Sequence, residues 1–215
     1  MSSFLPAGVD ERLALRGYLG RLVALDGRAC VRLQTHGLVM GAWGGPPLDV
    51  LTLRPVALAE LGAVSDVTVS AVRLSAALDE QLTGPVEVPP TVPGPAWAGL
   101  LPPRAGWTTV ATVPAAAVRD AVRVGVDAFT RRVDQLAADQ RSAADLRAVA
   151  EQVWGRPVVG GVPLRAAHAA ELMGLLGREG EVTALASGGW LRLACPGGSV
   201  ATHPGPAMGL DLFAL

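Results

Sequence analysis

The 215-residue chain contains no lysine, no isoleucine and no asparagine, and a single tyrosine. Lysine, isoleucine and asparagine all use AT-rich codons, so their joint absence points to a GC-rich genome. A basic set made only of arginine is then a codon effect and no evidence for phosphate recognition. The missing lysine also removes whole chemistries. A phosphate loop of the Walker type needs its Lys on the β and γ phosphates, a pyridoxal enzyme needs a Schiff-base Lys, and a protein kinase needs one on its nucleotide. Neither G-x-S-x-G nor G-x-G-x-x-G occurs; "CPGGSVATHPG" has the residue types without the spacing or the strand-to-helix setting.

Charge is scarce and balanced. Eighteen arginines face 19 acidic residues for a net charge of −1, and only 17% of residues are charged. No basic stripe of the kind nucleic-acid binding uses is present. From Arg119 to Glu179 nine arginines stand against eight acids, so nucleic acid is an unlikely partner. Apolar residues make up 50% and mean hydropathy is +0.38; part of that apolar surface is expected at an interface, with a homodimer the simplest case. The first twenty residues meet Asp10, Glu11 and Arg12 before any apolar run builds, unlike a signal peptide. The uncharged stretch from Val88 to Pro103 holds six prolines and makes no spanning helix. The expectation is a cytoplasmic protein without membrane contact. Its two cysteines, Cys30 and Cys195, read as small core hydrophobes.

Periodicity predicts helices over 10–25, with Asp10 as cap, and over 71–82 after a short strand at 66–70 capped by Ser70. Further helices are predicted from Pro114 to about 137, from Ser142 to Gly155 with Ser142 and Asp145 as a capping box, and over Leu164–Leu176, closed by Gly177. Strands are predicted at 29–35, 38–43 and 48–54, and again at 181–186, 189–194, 199–202 and 209–214. "VRL" at 31–33 aligns with "LRL" at 191–193, and a helix starting Leu-Arg and ending in Gly precedes each meander. The fold class is therefore α+β, small antiparallel meanders packed with helices, with an internal pseudo-duplication as one reading. The C-terminal half, two helices followed by a hairpin at 181–203, is winged-helix-like. The domain organisation expected is an N-terminal helix-plus-meander unit over 1–83, a Pro-rich connection over 84–112, and a helical segment with a second meander over 113–215, which can pack as one domain.

Candidate sites follow from residue type. His168, on the apolar side of its helix with Glu171 one turn on, is the candidate general base; a core histidine is the plainer reading. Cys30, His36, Cys195 and His203 are the candidate zinc ligands if the two meanders face each other, although structural zinc sites favour tighter cysteine spacing; otherwise no metal and no cofactor is implied. Trp97, Leu100 and Leu101 in the Pro-rich stretch form a candidate interaction patch. Arg165 and Arg192 are the residues a DNA-binding winged helix would offer. The segments "AWAGLLPPRAGW" and "VPLRAAHAAELMGLLG" resemble uncharacterised proteins of high-GC actinobacteria with no assigned activity, which implies a bacterial cytoplasmic origin and no catalytic residue to carry over. The function expected is a non-catalytic protein-interaction module that self-associates, with other proteins as further partners. The alternatives are a winged-helix DNA-binding regulator and, third, a small-ligand enzyme using the His168 and Glu171 pair.

Overall fold

The computed structural model describes residues 2–61, 64–80, 83–137 and 141–203, apart from the side chains of residues 96 and 97. The helix α1, Val9–Leu25, buries Leu15, Tyr18, Leu19 and Leu22 along one stripe. Asp10 lies in its first turn, where a carboxylate suits the helix dipole, and Gly8 occupies the cap position expected for Asp10. A meander follows, β2 Cys30–His36, β3 Val39–Gly44 and β4 Leu51–Ala57, then β5 Asp66–Ser70 running directly into α2, Ala71–Glu80. The short strands β1, Ser3–Phe4, and β6, Val86–Glu87, pair with each other. The second half opens with β7, Thr108–Pro114, which leads straight into α3, Ala115–Asp134. It continues through α4, Ala143–Trp154, and α5, Leu164–Leu172, to β8 Glu181–Ser187, β9 Trp190–Cys195 and β10 Gly198–Thr202.

Eight strands form one antiparallel sheet in the order β5-β2-β3-β4-β10-β9-β8-β7. The seam is β4 against β10, where Leu51, Thr52 and Leu53 pair with Ala201, Val200 and Ser199. About that seam the two halves correspond. Each central strand has an inner helix packed on it, α1 on β4 and α5 on β10, and each edge strand leads without a loop into an outer helix. The repeat is thus architectural, but its register is one strand away from the alignment of 31–33 with 191–193. The counterpart of β2 across the seam is β8, whereas that alignment matched β2 with β9. The strand expected at 209–214 lies outside the described residues.

Two expectations change for physical reasons. The helix predicted to reach Leu176 stops at Leu172, because Gly174 adopts a left-handed φ of 67° just beyond the Met173 cap. The hairpin of β8 and β9 is not a wing: β7 pairs on one side of it and β10 on the other, so neither edge is free to enter a groove. The supposed recognition helix α5 buries Leu164, Ala166, Ala167, Ala169 and Ala170 against the sheet, and these small side chains bring it close. The capping box at Ser142 and Asp145 forms as predicted.

Candidate interaction surfaces

All the principal helices lie on one face of the sheet, where Leu15, Leu19 and Leu22 meet Val31, Leu33, Met40 and Val56, and the α5 alanines meet Val182, Ala184, Leu193 and Val200. The other face carries a second, smaller cluster. Trp43, Leu51, Ala201 and Trp190 are buried there under Ala98, with Leu53, Leu101 and Trp107 packed around them. The Pro-rich excursion supplies that cover. It is tied down by a bridge between Val69 and Thr91, by the Val92 amide donating to the Thr68 carbonyl at 2.9 Å, and by Arg32 donating to the Ala98 carbonyl. The Trp107 indole donates to the Pro103 carbonyl at 2.8 Å, which locks the tryptophan over the sheet.

Two arginines stand on this second face in contrasting settings. Arg32 of β2 makes a two-pronged contact with Asp66 of β5, at 2.7 and 2.6 Å, and Gln34 donates to the same carboxylate at 2.8 Å. The guanidinium hydrogen bonds hold the Asp66 carboxyl below the usual carboxylate range, and the carboxylate raises Arg32 in turn. Arg192 of β9 has its guanidinium 4.1 Å from the centre of the Trp107 ring. Burial depresses its pKa, and its Nε is buried without a hydrogen-bond partner.

The residues singled out from sequence fall as follows. His168 stacks on Trp154 with ring centres 4.4 Å apart and planes 15° from parallel, and burial lowers its pKa. Glu171 turns instead toward Arg119, at 3.8 Å, so the two members of the candidate acid-base pair look to different neighbours. Cys30 and His36 sit at opposite ends of β2, whereas Cys195 packs into the helix-side core and His203 sets its ring edge-on to Trp190 at 5.2 Å. Among the described residues no group of three or more His, Cys, Asp or Glu side chains converges as metal ligands would. Burial drives the Cys195 thiol up to about 12 and, with Asp26 nearby, also raises Cys30, so both favour the protonated thiol at neutral pH. Leu100 is 51% exposed, Leu101 turns inward onto the second cluster, and the side chain of Trp97 lies outside the description. Arg165, on the helix side, is mostly buried between Glu151 at 2.5 Å and Asp49 at 3.5 Å, so it and Arg192 belong to opposite faces.

Three surface features were not anticipated. The first is β7, the outer edge strand, with Val110 at 50% exposure; the β-branched alternation of "TTVATV" carried the signal. The second is a depression of about 260 Å³ lined by Ala121, Val124, Gly125, Val158 and Leu164 together with the charged Asp120 and Arg156. The third, of about 490 Å³, lies where α1, α3 and α5 approach and is lined by Arg21, Arg119, Arg178 and Glu171. Arg119 there donates to the carbonyls of Gly177 and Arg178. No described helix is long and apolar enough to cross a membrane.

Two family models match in succession along the chain. A domain of unknown function, DUF8010, covers residues 1–99, and a second domain of unknown function, DUF8185, covers residues 102–207. No curated protein matches. Among solved structures, the chain is similar to a DNA polymerase sliding clamp from Pseudomonas aeruginosa, with a TM-score of 0.56 and 15% identity over 94% of this chain and 64% of that one. The Caulobacter crescentus pol III beta gives 0.55 and 13% over 96% and 66%. A Helicobacter pylori beta clamp bound to a DNA ligase peptide gives 0.51 and 11% over 94% and 65%. The chain thus spans just under two thirds of the length of each of these clamps, and the likeness is one of fold: an α+β, sliding-clamp-like arrangement of antiparallel sheet and helices.

Proposed function

We propose that the protein is a non-catalytic, clamp-like interaction module that self-associates as a homodimer in the cytoplasm of a high-GC, actinobacterial host. The observation that carries this reading is the β7 end of the sheet. Among the described residues no strand lies on the outer edge of β7, Val110 is half exposed on it, and Val124 of α3, the helix that β7 runs into, is equally exposed. An edge with unpaired backbone groups and exposed valines is a surface that a second copy satisfies, and two such edges meet about a two-fold axis. The irregularity between Thr109 and Ala111, together with Pro114 at the strand end, limits the pairing to a short stretch and guards against open-ended growth. Leu100, beside Trp97 and Leu101 in the Pro-rich excursion, is a candidate for contact with other proteins. The division into 1–83, 84–112 and 113–215 remains our proposal for how the chain is organised.

Light scattering on a sizing column across micromolar dilution tests the reading. A dimer that the Val110→Glu substitution converts to monomer is the expected outcome; a wild-type monomer throughout overturns self-association. DNA binding is the second reading. It is favoured by the arginine-lined depression of Arg21, Arg119 and Arg178 and by the similar structures, which are DNA polymerase clamps. A salt-dependent shift of a labelled duplex, lost on Arg21→Gln with Arg178→Gln, would establish it.

A further inference from the structure

Arg192, on the third strand from the β7 edge, stands on the face opposite the helices. Its neighbours across the strands are Ala201 on β10 and Leu185 on β8, and the next row holds Ala194 and Thr183. Leu185, Ala194 and Thr183 are half-buried, with Trp107 as a wall on one side. Among the described residues the guanidinium has its contact with Trp107 and no hydrogen bond or ion pair. Its Nε is buried without a hydrogen-bond partner. The Trp107 ring attracts the guanidinium, but a buried Nε left unpartnered costs stability that a structural arginine normally recovers from a carboxylate. Arg32 on the same face is the internal control, since Asp66 neutralises it fully. Among the described residues Arg192 has no anion beside it.

We propose that this part of the sheet is a docking site for an extended segment of a partner protein that carries an Asp or Glu between apolar side chains. The carboxylate completes the fork of Arg192, and the flanking apolar groups cover Leu185 and Ala194 beside Trp107. A phosphate backbone fits less well, because it calls for several cations in a row, whereas Arg192 stands among apolar and aromatic neighbours. The inference rests on the reading of the protein as an interaction module and names the chemistry of one partner.

Selection of the full-length chain against a displayed random-peptide library is the test. Enriched peptides should carry an acidic residue flanked by Leu, Val or Phe, and their affinity should fall about tenfold or more with Arg192→Gln and stay unchanged with Arg123→Gln, exposed on α3 on the helix side. Arg192→Met supplies the second readout. It keeps the stem against Trp107 and removes the desolvated charge, so peptide binding is lost while the Tm holds or rises. Selection of no peptides, peptides without an acid, binding indifferent to Arg192, or a Tm that drops with Arg192→Met as for a purely structural residue would each overturn the proposal. Preferential capture of duplex DNA through Arg192 would overturn it also. A chain that is monomeric by light scattering yet selects acidic peptides loses the dimer and keeps this site; a dimer that selects none does the reverse.

Discussion

The hydroxyl of Tyr18 lies 2.8 Å from that of Thr52, deep between α1 and β4. The Thr52 hydroxyl donates onward to the Gly44 carbonyl at 3.1 Å, so it accepts from the tyrosine and fixes the direction of the chain of bonds. This single tyrosine pins the inner helix of the first half to the strand that forms the seam.

Tyr18→Phe removes one buried donor and leaves Thr52 still bonded to Gly44. The expected cost is about 1 kcal/mol of unfolding free energy, read by urea denaturation, with the fold intact. Burial also raises the phenol well above its ordinary value. The folded state therefore holds the proton more tightly, and its stability declines as pH climbs above about 10, where the unfolded phenol ionises. Tyrosinate absorbance that rises before unfolding would contradict this.

His168 imposes a dependence at the acid end. Its pKa is depressed by burial against Trp154, so the folded protein binds fewer protons than the unfolded chain. Stability is unaffected above the unfolded value near 6.5 and drains away as pH falls from there toward the folded value. Stability should therefore fall between pH 7.5 and 5.5. His168→Phe keeps the stacking partner and should flatten that slope; an unchanged slope would remove His168 as its source.

Gly198 opens β10 at the seam with φ of 150°, and a Cβ there would stand 2.1 Å from the backbone oxygen of Leu53. Backbone on the far side cannot yield as a flexible side chain would. Gly198→Ala should cost roughly 3 kcal/mol or more by parting β4 from β10. A Tm within a degree or two of wild type would refute it.

Much of this architecture was legible because local signals were strong. Ser142 and Asp145 cap α4 as their spacing required, and the Gly-Pro breaks separated the first meander correctly. Strand pairing was less visible. The match of "VRL" with "LRL" compared neighbouring residue types, whereas the partner of β4 is chosen by burial of Leu51 and Ala201 on a shared face, a long-range choice. The hairpin at 181–203 looked like a wing because sequence does not tell whether a hairpin's outer edges are covered. At the candidate sites, the types of residue were readable and their neighbours were not: His168 met Trp154 instead of Glu171, and Arg192 met Trp107 without a counter-ion.

The seam joins residues far apart in the chain, Leu51–Leu53 with Ser199–Ala201. During synthesis β4 emerges early, and its outer edge stays vacant until β10, the last described strand, has been made. Closure of that long loop comes before the pairing is gained, so formation of the seam is expected to be a slow step, which refolding kinetics would read. In the interval the nascent first half presents Leu51 and Leu53 on an unpaired strand, and ribosome-bound chains stopped before Gly198 are where premature association should be sought.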